Sequence, residues 1–175
     1  MAGQVNGYSS KAIALFIMPV ISIFLLLLFR FLPLTDPYRK NFSQFENYFN
    51  HFVIIISAFL FYLYLLTIAW HLGFQFNMVR FLSPAFAGLF YFTGVLVSVA
   101  KRNWFVGIRT PWTMSSDKVW NKTHQLGGKL FKLAALTTMI GTLFPDYSFY
   151  LLFIPLVATS IFIYIYSYVV YRRLG

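Results

Sequence analysis

Residues 103–131 read NWFVGIRTPWTMSSDKVWNKTHQLGGKLF, the long stretch of this chain where charge, aromatics and turn formers crowd together. Whether it is a connection between apolar helices or part of one decides the fold. Gly107 and Thr110-Pro111 force a turn, Ser115 or Ser116 caps a new helix with Asp117 in its first turn, and Gly127-Gly128 ends it. A helix of about ten residues, about 15 Å long, is too short and too polar to cross a bilayer. Stepping about 100° per residue puts Val119, Thr123, Leu126 and Trp120 on an apolar side and Lys118 with Lys122 on a basic one. Asp117, Asn121 and His124, at i, i+4 and i+7, form a third strip placed to cover the mouth of a bundle.

The flanking sequence is written for lipid. Of 175 residues, 59% are hydrophobic and 10% charged, and the mean hydropathy is +0.71. Runs at 12–32, 52–72, 83–100 and 148–171 have the length of a span, and 129–144 is a shorter fifth whose Lys132 can snorkel to the interface. The expectation is an all-α membrane protein: one domain over 1–175, a bundle of five transmembrane helices, and a short interfacial amphipathic helix inside the signature loop 101–129. The first run is read as a retained span, because its apolar core exceeds the 7–15 residues of a signal peptide. Pro19 and Pro155 fall inside spans as kinks, whereas Ser83-Pro84 reads as a cap and first-turn pair.

The net charge is +10, and its distribution carries more than its size. Five spans put Arg30, Arg39, Lys40, Lys101, Arg102, Arg109, Lys118, Lys122, Lys129, Lys132, Arg172 and Arg173 on one side and only Lys11 and Arg80 on the other. That asymmetry orients a multi-pass cell-membrane protein with its amino terminus outside and its carboxyl terminus cytoplasmic. The partner of such a face is a bilayer with anionic lipids, not nucleic acid directly. In the first inner loop Asp36-Pro37 has turn chemistry, and Phe42, Phe45 and Phe49 recur at helical spacing with their rings toward lipid or bundle. Asp146 sits near the start of the last span, where an anion suits the helix dipole.

Catalytic chemistry is poorly provided for. There is no cysteine, and His51 and His71 bracket one span about 30 Å apart, so the three histidines do not converge on a metal. Ser115, Ser116 and His124 share one short helix at spacing unsuited to a nucleophilic triad, and no phosphate-binding glycine pattern occurs. No enzyme activity, cofactor or metal is expected. Asp117 is the one acid among seven basic residues from Lys101 to Lys132, so an ion pair with Arg109 or a lysine is expected of it. His124 beside Trp120 and Asn121 is read as hydrogen bonded, and Tyr164, Tyr168 and Tyr171 as a packing stripe or aromatic belt.

The same stretch resembles the signature of the SdpI family of membrane proteins. The similarity rests on G-I-R-T-P-W-T at Gly107 to Thr113, then Ser115-Ser116, Val119-Trp120, Thr123-His124 and Gly127-Gly128, with a weaker match at "PLTDPYRKNFSQFENYF". Longer relatives carry a further amino-terminal segment with a His-Phe-Asn element that is missing here, a departure that agrees with five spans in place of six. The resemblance implies protection against a membrane-active toxin peptide and, in the protein that names the family, sequestration of a cytoplasmic repressor.

The leading expectation is therefore a non-enzymatic membrane immunity or receptor protein. Its functional motif is Arg109, Thr110, Pro111, Trp112, Ser116, Asp117, Trp120, Asn121 and His124, with Trp112, Trp120 and Arg109 of the types that anchor interfaces. A small transporter or lipid-handling protein gated by the same helix is the alternative, and a purely structural clamp formed by the Asp117 strip is the third.

Overall fold

The computed structural model describes residues 10–174. Among the described residues seven helices follow one another: α1 (Lys11–Thr35), α2 (Arg39–Phe42), α3 (Glu46–His71), α4 (Met78–Val99), α5 (Pro111–Ser115), α6 (Asp117–Gly141) and α7 (Ser148–Leu174). Among the described residues there is no strand. Four helices, α1, α3, α4 and α7, are long and apolar enough to cross a membrane. A helix pairs its backbone polar groups along its own length, as hydrocarbon demands, although Pro19 and Pro33 in α1, Pro84 in α4 and Pro155 in α7 each lack a donor.

Burial runs opposite to hydropathy. None of the apolar window of α1 is buried in the protein, although it has the highest hydropathy of the four. By contrast α6, which is not among the four, buries Val119, Trp120, Thr123, His124, Gly127, Gly128, Ala134, Ala135, Thr138 and Gly141. The most extensive helix interface is α4 with α6, followed by α6 with α7. Lipid is as apolar as leucine, so small residues and polar contacts, not greasy ones, hold such helices together.

The glycine pair shows how. Gly127-Gly128 does not end a helix: α6 continues unbroken through it to Gly141, so the separate ten-residue amphipathic helix is corrected to the first part of a 25-residue one. A Cβ on Gly128 would collide with the Ser98 hydroxyl and lie 2.6 Å from the Gly94 carbonyl oxygen, while one on Gly94 would lie 2.7 Å from the Gly128 carbonyl oxygen. The backbones of α4 and α6 touch there. Glycine's cost in a helix interior is offset by that approach.

Two further boundaries differ from the sequence reading. Ser83-Pro84 is not a cap, because α4 begins at Met78 with Asn77 accepting from the Arg80 amide (3.1 Å). Ser83 is instead wholly buried, its hydroxyl donating to the Val79 carbonyl (2.8 Å). Thr110-Pro111 is more than a turn: Thr110 and Thr113 form a reciprocal capping box with proline in the first turn of α5.

The phenylalanines of the first connection settle toward the bundle. Phe42, Phe45 and Phe49 pack with Leu96, Ala100 and Trp120 into one buried cluster, with Phe42 and Phe49 edge to face at 5.0 Å between centroids. This cluster sits at the end of the bundle that also carries residues 101–128.

Candidate functional site

The site is a polar knot built on the first half of α6. Trp120 and His124, one turn apart, are each only 1% exposed. Their rings stack with centroids 3.8 Å apart and planes 15° from parallel. The Trp120 indole N–H donates to the Ala100 carbonyl at the end of α4 (2.8 Å). His124 closes the loop before α5: its Nε2 lies 2.9 Å from the Ile108 amide nitrogen and its Nδ1 2.8 Å from the Trp120 carbonyl oxygen. A backbone N–H can only donate, so Nε2 is the acceptor and the proton rests on Nδ1. Burial lowers the His124 pKa to about 4, opposed by the bond to the Trp120 carbonyl. The ring is neutral at pH 7, and protonating it would set one N–H against another.

Gly107 is the counterpart of that ring. Its φ of +117° lies where side chains are disfavoured, and a Cβ there would collide with His124 Nε2 and come within 3.3 Å of Trp120. Beyond it the loop feeds α5. The Thr113 hydroxyl accepts from the Thr110 amide (2.9 Å) and donates to the Ile108 carbonyl (2.7 Å), while Thr110 Oγ1 lies 3.2 Å from the Ser167 hydroxyl of α7. Trp112 rests against Tyr164 and Tyr168 at 5.3 and 5.0 Å between centroids, so those tyrosines are used in packing. In this way α5 ties α7 to the knot.

Asn103 and Asp36 organise the other side. Asn103 is wholly buried, its amide N–H groups donating to the Lys101 and Val106 carbonyls and its oxygen accepting from the Phe105 and Val106 amides. Every polar valence of that side chain is used. The Asp36 carboxylate, 5% exposed, accepts from the Tyr38 amide (2.7 Å) and from the Trp104 amide (3.1 Å), joining the first connection to the loop. Asn41 adds a second tie by donating to the Arg102 carbonyl (2.9 Å). Arg102 itself stands over the Tyr38 ring at 5.2 Å and donates to the Met114 carbonyl (3.1 Å).

The motif residues thus divide. Thr110, Trp120 and His124 come together in the knot, and Pro111 and Trp112 belong to its α7 arm. Asp117 pairs neither with Arg109 nor with a lysine but with Arg102 (3.0 Å), and its side chain is 67% exposed, so the pair adds little stability. Arg109 is exposed and donates to the Trp104 carbonyl, while Asn121 is exposed on the far side of α6. The strip of Asp117, Asn121 and His124 is corrected accordingly: His124 belongs to the buried arc because the loop folds over it. Ser116 stands at the N-cap of α6 without a side-chain cap bond. Trp120, wholly enclosed, holds the fold and is not an accessible anchor.

Against Gly107 and Ile108 lies an apolar cleft of about 270 Å³, walled also by Phe29 and Leu32 of α1, Phe52 of α3 and Phe131 of α6. The sequence signals for Asp36 and Asn103 were present: an acid before proline on a basic face, and an asparagine opening an aromatic loop. Asn103 gave no periodic pattern, since its partners are all local backbone.

Apolar helices that expose their greasy faces, closed at one end by a satisfied polar knot, define a multi-pass membrane protein. The SdpI/YfhL protein family model matches residues 99–167, which hold all of the knot but the residues of the first connection. The immunity protein SdpI of Bacillus subtilis strain 168 is 25% identical over 167 residues, covering 95% of this chain and 78% of its own length. Over these residues the chain is similar to the SdpI/YfhL family. No solved structure matches it.

Proposed function

We propose that this protein is a non-enzymatic membrane immunity protein of receptor type, protecting against a membrane-active toxin peptide. The observation that carries this reading is the contact between the apolar cleft and the backbone at Gly107-Ile108, whose amide His124 holds. An apolar peptide entering from the bilayer would press on that loop and shift what the exposed Arg109, Lys118, Asn121 and Lys122 present to a partner such as a cytoplasmic repressor. The relative named an immunity protein supports the same reading.

This reading has the amino terminus outside, the carboxyl terminus in the cytoplasm and five crossings, with 129–144 of α6 as the short fifth. Leu133, Leu136, Met139 and Ile140 support it, because all four are exposed apolar side chains on α6. Such a row suits lipid and not water. The twelve basic residues then share the knot's side, where anionic lipid attracts them.

The test is survival of sensitive bacterial cells expressing the protein or Arg109→Ala under challenge with a panel of membrane-active toxins. Protection by the natural protein that is lost in the equally abundant variant is the expected result; no protection against any toxin would contradict it. The apolar lining of the cleft also suits a second reading, lipid handling, which a lipid chain recovered from the cleft in a protein that gives no protection would support.

A further inference from the structure

A second cleft, on the other side of Phe29, carries a different chemistry. It is about 130 Å³ in volume and is lined by Arg30 of α1, Arg39 of α2, Ser43, and Glu46 and Asn50 of α3, over a floor that includes Phe42. Arg30, Pro33 and Leu34 share one face of α1 at i, i+3 and i+4, and Glu46 and Asn50 share one face of α3 at i, i+4. Three charged side chains thus line one small space. None of them is paired: among the described residues the ion pair within 4 Å is that of Arg102 with Asp117.

All three charged side chains are exposed, where an ion pair adds little, so each is free to meet a ligand over the Phe42 floor. Their sum, two cations and one anion, complements a single phosphodiester that also brings a hydrogen-bond donor. The location agrees. Asn41, between Arg39 and Ser43, bonds the loop at Arg102, so the cleft lies at the knot end of the bundle, beside the bilayer-facing helix α1.

We infer that the cleft among Arg30, Arg39, Glu46 and Asn50 is a headgroup site for a membrane glycerophospholipid whose phosphodiester carries a donating headgroup, ethanolamine or glycerol, and not choline. The arginines hold the phosphate, Glu46 accepts from the ammonium or hydroxyl, and Phe29 and Leu34 lead the acyl chains onto the exposed length of α1. Arginine suits this task because its planar fork donates two parallel bonds to phosphate. The site does not depend on the immunity reading.

The experiment is native mass spectrometry of the full chain in detergent with dioctanoyl phosphatidylethanolamine, phosphatidylglycerol or phosphatidylcholine, and with inorganic phosphate as competitor. The first two lipids are expected to be retained about tenfold more than phosphatidylcholine, the scale of one charge-assisted hydrogen bond. R30Q/R39Q should lower their retention about tenfold, while K122Q, a basic residue elsewhere on the same side, should leave it unchanged. E46Q should erase the preference over choline and keep the phosphate-dependent binding. Equal retention of the three lipids, wild-type retention by R30Q/R39Q, an equal loss in K122Q, or displacement by inorganic phosphate at equal concentration would each overturn the proposal. If R30Q/R39Q fails to fold, E46Q decides alone: a preference that persists overturns it.

Discussion

Helix α1 and the first half of α6 invert the usual relation between hydropathy and burial. The window of α1 has a mean hydropathy of 2.6 and none of it is buried, whereas α6 encloses Trp120, Thr123, His124 and the glycine pair despite its lysines. In water α1 would be the core. In a bilayer its apolar side chains meet lipid with no gain from meeting each other, and specificity passes to close backbone approach and satisfied polar groups. What this chain hides is what lipid cannot solvate.

The glycine crossing is where the largest effect is expected. Gly128→Val places branched carbons between α6 and the Gly94 carbonyl, so a loss of about 3 kcal/mol is expected, read as a lower melting temperature in detergent. An unchanged melt would mean that α4 and α6 do not touch as described. A middle-sized effect separates two buried threonines. Thr113→Val removes a hydroxyl that bonds both the Thr110 amide and the Ile108 carbonyl, and should cost about 1.5 kcal/mol. Thr123 is equally enclosed but its hydroxyl has no partner, so Thr123→Val should be neutral within about 0.5 kcal/mol or stabilising. Equal losses at the two positions in chemical denaturation would contradict the bonding scheme. The smallest effect belongs to α1: Phe24, 63% exposed, should tolerate leucine within about 0.5 kcal/mol by the same melt. A large loss there would show that α1 packs against something besides lipid.

Much of this organisation was legible in the sequence, unevenly. The four apolar helices were readable because hydropathy over about 20 residues reports directly on hydrocarbon thickness. Their starts were not: α3 begins at Glu46 and α4 at Met78, since polar first turns lie outside any apolar window. Gly127-Gly128 misled for a tertiary reason. Glycine weakens an isolated helix, and only the partner backbone at Gly94 shows why it is kept inside one. The signature contains Thr110, Trp120 and His124, which the fold brings together, yet periodicity placed His124 with Asp117 and Asn121. A helical wheel cannot know that residues 103–110 fold back over one edge of it. Asp36, distant in sequence from the loop it binds, was visible only as a turn former.

The neutral, two-handed His124 is the point on which the knot turns, and nitrogen-15 NMR of its imidazole in the detergent-solubilised protein tests it most directly. A single Nδ1–H tautomer at pH 7 that titrates near 4 is expected. The linked stability follows in sign: a folded-state pKa below the ordinary 6.5 gives stability that is present above pH 6.5 and fades as pH falls toward 4, about 2 kcal/mol between pH 7 and 5. His124→Gln should remove that dependence. An Nε2–H tautomer, or titration near 6.5 with no change in stability, would contradict the closed loop and with it the coupling of the apolar cleft to the signature.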